Sequence, residues 1–300
     1  QEIEISSLKD RGISLFVKRD DLIHETISGN KWRKLKFNIE SCVIKKKQGI
    51  ITFGGAYSNH LIATASACHK AGVKSIGIVR GDELKVDSNE TLKACSLLNM
   101  ELVFVSREDY KLRIEKAYIE GLSIKYPNYL IVPEGGANYH GMIGCQEILR
   151  EVEFEPDHIF VSQGTTTTSC GLAMGLNDNQ KIHVVPALKG FNSLDEMESL
   201  YLQCGMDAEW IEQLLSTVVV HADYHFGGYG KYNIELLNFI KNFHENYSLK
   251  LDPIYTGKTM FALMKEIKNV SFDNTSILFV HTGGLQGVRS IEEKSGIKLF

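Results

Sequence analysis

The sequence predicts an α/β protein built on parallel sheet, and three observations point there. Short β-rich runs alternate with helical stretches from end to end, the pattern of strands joined by crossover helices. Runs such as Ile277-Leu278-Phe279-Val280 are apolar on both faces, as strands are in a sheet covered on both sides. Glycine-containing turns with polar neighbours recur where a strand run gives way to a helical one. Open α/β sheets bind their ligands at such carboxyl ends of strands.

The elements follow in order. A β-branched and aromatic run predicts a strand at 13–17, and a helix at 31–45 follows the Ser28-Gly29-Asn30 turn. Strand 50–53 leads through Gly54-Gly55 to a helix over 59–71 that Ser58 can cap. Strands 75–79, 102–105 and 129–132 then alternate with helices 88–98 and 110–125. Helix 142–150 precedes strand 158–161, helix 169–176 and strand 182–186. Helix 193–203, strand 218–220, helices 231–243 and 258–268, and strand 277–280 complete the series. Three hundred residues suggest two domains or one large one. No Pro-, Gly- or Ser-rich linker separates them, which predicts an insertion: one domain leaves and re-enters the other by short crossings.

Composition excludes several classes. A hydrophobic share of 43% and a charged share of 23% are ordinary for a globular chain. The formal net charge of -4 argues against general nucleic-acid binding, which needs clustered basic charge. The run Lys45-Lys46-Lys47 reads as the exposed end of a helix. No apolar run approaches the ~18 residues of a membrane span, and no signal peptide opens the chain. Cys42, Cys68, Cys95, Cys145, Cys170 and Cys204 are scattered without a C-x-x-C pair, as inert thiols in a reducing compartment would be. The expectation is a cytoplasmic, soluble protein with neither a nucleic-acid nor a membrane partner.

Four constellations carry chemistry. In Ser28-Gly29-Asn30-Lys31-Trp32-Arg33-Lys34, Lys31 falls at a helix start, where the macrodipole disfavours a cation and would lower its pKa. Taken alone, it is most simply a solvated charge. In Gly54-Gly55-Ala56-Tyr57-Ser58-Asn59-His60, a cap and free amides suit a carboxylate or phosphate, and Asn59 and His60 add polar groups without a capping duty. Gly164-Thr165-Thr166-Thr167-Thr168 follows a strand and opens a helix, offering hydroxyls and amides to a phosphate, or forming a merely polar loop. It is not a Walker A loop, since no Gly-Lys-Ser/Thr follows. Asp252-Pro253-Ile254-Tyr255-Thr256-Gly257-Lys258 and His281-Thr282-Gly283-Gly284 each place polar side chains at a break between periodic segments. His221 and His225, four apart, suit one face of a helix but have no third ligand nearby, and no metal site is expected.

Taken together, Ser-Gly-Asn-Lys-x-Arg-Lys at 28–34, Gly-Gly-x-x-Ser-Asn-His at 54–60, the 164–168 loop, Leu-Asp-Pro-x-Tyr-Thr-Gly-Lys at 251–258 and His-Thr-Gly-Gly at 281–284 resemble one family in the same order. It is the 1-aminocyclopropane-1-carboxylate deaminase/D-cysteine desulfhydrase family, of the fold type II pyridoxal-phosphate enzymes, the tryptophan synthase β-like group. The resemblance implies two open twisted, mainly parallel sheets flanked by helices. It also implies a large domain of 1–33 and 141–300, a small inserted α/β domain of 34–140, and a homodimer. Pyridoxal 5′-phosphate would be held covalently by Lys31, which would also shuttle protons. Asn59 would bond the phenolic oxygen of the cofactor, and Gly164, Thr165, Thr166, Thr167 and Thr168 would cradle its phosphate. Thr256 and Thr282 would lie near its pyridine nitrogen. Ser58, Asn59 and His60 would hold the carboxylate of a small amino-acid substrate, and Tyr229 and Tyr255 would be active-site tyrosines. The loop departs from the family's Gly-Thr-Gly-Gly-Thr, so threonines would be strained wherever a positive φ is needed.

The resemblance also bears on the reaction. The ring-opening deaminases of the family look as if they place a glutamate and a leucine where this chain has Thr256 and Thr282. A carboxylate keeps the pyridine protonated and strengthens it as an electron sink; a donating hydroxyl gives a weaker one. β-Elimination needs the sink less, because a thiolate carries electrons away. The expectation is elimination from D-cysteine or a similar D-amino acid, giving pyruvate, ammonia and sulfide. The alternatives are a hydrolytic deaminase giving 2-oxobutyrate and ammonia from 1-aminocyclopropane-1-carboxylate, and a non-catalytic protein that binds cofactor and amino acid.

Overall fold

The computed structural model describes residues 1–300 apart from Glu25, Thr26 and Ser28, with the side chain of Gln286 also outside the description. In chain order the strands are β1 (Glu2–Ile3), β2 (Ser14–Lys18), β3 (Gly49–Gly55), β4 (Lys74–Arg80), β5 (Met100–Val105), β6 (Tyr129–Ile131), β7 (His158–Gln163), β8 (Lys181–Pro186), β9 (Val218–Val220) and β10 (Ser276–Val280). The helices are α1 (Ser6–Lys9), α2 (Asn30–Ile44), α3 (Asn59–Ala71), α4 (Glu90–Leu97), α5 (Arg107–Lys111), α6 (Lys116–Lys125), α7 (Tyr139–Arg150), α8 (Thr167–Ala173), α9 (Ser193–Gln203), α10 (Ala208–Ser216), α11 (Ile234–Tyr247), α12 (Thr256–Glu266) and α13 (Val288–Ser295).

The strands form two sheets. One has the order β1-β2-β10-β7-β8-β9 and the other β5-β4-β3-β6. All pairs are parallel except the edge pair β1–β2. Helices cross between parallel neighbours, as such sheets require. The chain divides into two compact units: Gln1–Ile23 with Cys145–Phe300, and His24–Gly144. The sequence placed these crossings at 33/34 and 140/141. The first moves because α2 goes whole with the smaller unit: its buried Leu35 packs with Ala63 and Ala67 of α3. Gly144 belongs there too, since a Cβ on it would lie 1.9 Å from the Arg33 carbonyl oxygen.

Each unit has its own core. In the larger unit Leu15, Val17, Phe160, Ile277 and Phe279 of the sheet meet Leu236, Ile240, Met260 and Leu263 of α11 and α12. In the smaller, Ile51, Phe53, Ile76 and Ile78 pack with Tyr110, while Leu61, Ala65, Val79, Leu92 and Met100 form a second cluster. The helix predicted at 110–125 is broken: Glu115 is extended (φ -82, ψ 133) and separates a short 3-10 turn from α6. No helix among the described residues is long and apolar enough to cross a membrane.

Candidate functional site

In the smaller unit, Gly29 turns into α2 at φ 67, a conformation glycine adopts freely. Lys31 lies in the first turn, half-buried, and its Nζ donates to Asn30 Oδ1 at 2.8 Å. The unfavourable end of the helix macrodipole raises the cost of its charge. Ser28 lies outside the described residues. The strand β3 runs into α3 through Gly54, where a Cβ would come within 2.7 Å of Ser58 Oγ. Ser58 caps α3, its Oγ accepting from the His60 and Leu61 amides at 3.2 and 3.3 Å. Its own proton, and the side-chain amide of Asn59, have no hydrogen-bond partner among the described residues.

His60 is set differently from the expectation. It is 3% exposed, and its Nε2 lies 2.9 Å from Thr52 Oγ1, whose proton goes to the Val132 carbonyl at 2.9 Å. Thr52 therefore accepts from Nε2–H, and Nδ1 is left as a buried acceptor without a partner. Burial, with Lys31 and then Lys34 nearby, pushes the imidazole down to about 3, so it is neutral. A neutral ring presenting a lone pair repels a carboxylate, and the His60 amide is already spent on Ser58. The carboxylate-holding role predicted for His60 is therefore not supported by its geometry; Ser58 and Asn59 keep free donors.

In the larger unit, β7 ends at Gln163 and the loop 164–166 opens α8. Thr166 sits at φ -71, ψ -8, and none of the four threonines has a positive φ. The strain expected from replacing glycines is absent, because no residue of the loop takes a positive φ. Gly164 is needed for space: a Cβ there would lie 2.9 Å from Tyr255 Cε1. The Thr165 and Thr167 hydroxyls lie 3.5 Å apart, while Thr166 Oγ1 donates to the Glu196 carbonyl at 3.4 Å. Thr167 and Thr168 are buried, Thr165 exposed. This donor set of hydroxyls and first-turn amides, with no carboxylate within 162–169, suits a phosphate dianion. Gln163 donates to Ser169 Oγ at 2.9 Å and keeps Oε1 buried without a partner.

The same unit brings Tyr255, Thr256 and Tyr229 toward this loop. The Tyr229 and Tyr255 rings meet edge to face at 6.1 Å. Asp252, 1% exposed, accepts from the amides of Ile254 and Tyr255 on Oδ2 (2.8 Å each) and of Thr256 on Oδ1 (2.9 Å). The Thr256 hydroxyl donates to Asp252 Oδ1 at 2.7 Å and accepts from the Asp252 amide at 2.8 Å. Its only proton is thus committed. Thr282, at the end of β10 and 8% exposed, has a hydroxyl with no hydrogen-bond partner among the described residues. Lys258 is 1% exposed and donates to the His225 and Gly228 carbonyls at 2.8 Å each. Asp252 and Lys258 were within a motif the sequence singled out, but their duties depend on how the chain folds back on itself. His221 and His225 share no helix face: residues 222–225 form a 3-10 turn, and His221 bonds His183.

Comparison with known proteins identifies the family. Residues 3–283 match the family described as "Pyridoxal-phosphate dependent enzyme". The bifunctional D-cysteine desulfhydrase/1-aminocyclopropane-1-carboxylate deaminase, mitochondrial, of Arabidopsis thaliana is 30% identical over 309 residues, covering 92% of this chain and 74% of that protein. A crystal structure described as an ACC deaminase homologue matches with a TM-score of 0.76 at 26% identity, covering 96% of this chain and 89% of that one. A fungal L-serine ammonia-lyase from Rhizomucor miehei, at 14% identity and a TM-score of 0.66 over 100% of this chain and 98% of its own, shares the fold. The chain belongs to the pyridoxal-phosphate-dependent enzymes of fold type II, in the 1-aminocyclopropane-1-carboxylate deaminase/D-cysteine desulfhydrase family.

Proposed function

We propose that the enzyme performs β-elimination on D-cysteine or a similar small D-amino acid, converting D-cysteine and water to pyruvate, ammonia and hydrogen sulfide. The residues fit the cofactor: an oxygen-rich loop without a carboxylate for its phosphate, and a half-buried Lys31 amine whose charge a helix start disfavours. When bound, pyridoxal phosphate supplies an electron sink for the charge left by α-proton removal.

The chain's own groups do the rest. Lys31 would hold the cofactor, and its amine would take the α-proton of the substrate. Ser58 and Asn59 offer the free donors that orient a substrate carboxylate. Gly164 through Thr168 anchor the phosphate. Tyr255, with Tyr229 against its ring, delivers a proton to the departing sulfur.

The observation that carries elimination over ring opening is the Thr282 hydroxyl. Thr256 cannot donate to a pyridine nitrogen, because its proton lies on Asp252. Thr282 can, and a neutral hydroxyl donor supports a weaker sink than a carboxylate does. A second reading, deamination of 1-aminocyclopropane-1-carboxylate, is favoured by Asp252, whose charge polarises Thr256 as an acceptor. Turnover decides between them. The expected products are pyruvate and sulfide from D-cysteine, with 2-oxobutyrate from the cyclopropane substrate at least tenfold slower; the reverse order overturns the assignment. We further propose a homodimer in the reducing cytoplasm, a setting in keeping with six cysteines that form no disulfide.

A further inference from the structure

A buried cation needs a reason, since a desolvated ammonium is costly unless hydrogen-bonded. Lys258 lies in the first turn of α12, 1% exposed, and makes no ion pair among the described residues. Its two acceptors are the carbonyls of His225 and Gly228, each 2.8 Å from Nζ. Burial pulls its pKa down to about 8, partly offset by Asp252, so it remains charged at neutral pH.

The carbonyls it meets belong to an unusual loop. Phe226, Gly227, Gly228 and Gly230 all have positive φ, at 53, 96, 117 and 66. That backbone turns its carbonyls inward, where an apolar side chain would leave them poorly satisfied. The His225 carbonyl also accepts from the Gly228 amide at 3.0 Å, and the Gly228 carbonyl from the Lys231 amide at 3.1 Å. Lys258 thus completes the second acceptor position of both carbonyls and closes the loop from beneath. Tyr229, 56% exposed, is the residue that this loop presents to Tyr255.

We propose that Lys258 is a positioning residue: its ammonium latches the His225 and Gly228 carbonyls and thereby fixes Tyr229 against Tyr255. The inference rests on the reading of Tyr229 as an active-site residue. Loop glycines have low intrinsic order, and a charge-assisted pair of hydrogen bonds supplies what the sequence lacks.

The test is amide hydrogen exchange of the holoenzyme, read by mass spectrometry, alongside turnover of D-cysteine. In Lys258→Met, exchange over residues 226–231 rises tenfold or more while β10 stays protected, and kcat falls with KM little changed. Lys258→Gln, one atom shorter but still an N–H donor, restores part of both and serves if the methionine variant does not fold. Unchanged loop exchange in both variants overturns the latch. Tyr229→Phe is the independent control: accelerated exchange in Lys258→Met supports the latch whatever Tyr229→Phe does, whereas full activity of Tyr229→Phe overturns the catalytic reading of that tyrosine alone.

Discussion

Thr256 and Thr282 carry the same side chain under opposite obligations. The Thr256 hydroxyl is closed between the amide and carboxylate of Asp252, and it completes the turn that opens α12. The Thr282 hydroxyl is held by nothing among the described residues. Thr256→Val therefore acts on stability: it strips buried Asp252 of one donor and its amide of an acceptor, at ~1–3 kcal/mol, read as a lower urea midpoint. Thr282→Val leaves the midpoint within ~0.5 kcal/mol and lowers kcat for D-cysteine about tenfold, the worth of one hydrogen bond. An exchange of the two effects would reverse the assignment. Neither obligation is legible in the sequence, where both are threonines beside a glycine. The same holds for His60, whose polarity depends on a Thr52–Val132 bond spanning 80 residues.

At the scale of elements, a line of histidines ties the larger sheet together. His158 at the start of β7 meets His183 of β8 at 3.0 Å, and His183 meets His221 beyond β9 at 2.9 Å. The Phe160 ring stacks on His183 at 4.3 Å. Burial lowers all three imidazoles, His183 to about 3, so the line is neutral. The ordinary value in the unfolded chain is near 6.5. Below it the unfolded chain takes up protons that folded His183 refuses, so stability is lost as pH falls from about 6.5 toward 3. The slope is up to ~1.4 kcal/mol per pH unit for each such group. Urea midpoints at pH 7, 6 and 5 check this: His183→Phe gives a shallower fall than the parent, and an equal fall contradicts it. Helices 59–71 and 193–203 and strand 218–220 were legible to the residue, because the Ser58 cap marks the first and runs of one period mark the others. The break at Glu115 and the short helix α10 were not. Each is a local choice settled by packing, with α10 resting on an Asp207 cap that accepts from two amides.

For the whole molecule, alternation of strand and helix was enough to give the α/β class, and motif order gave the family. The unit boundary was not legible, since it depends on which helices share a core. The account's central claim concerns one lysine among several. Lys34 and Lys258 are each no more than 2% exposed, and Lys258 is spent on carbonyls. Lys31 is half-buried at a helix start and remains the amine suited to hold the cofactor. Borohydride reduction of the holoenzyme followed by peptide mapping addresses this directly. The account predicts the reduced adduct on the peptide that contains Lys31, and Lys31→Ala without the visible cofactor band. An adduct on Lys34, Lys258 or any other lysine would contradict it.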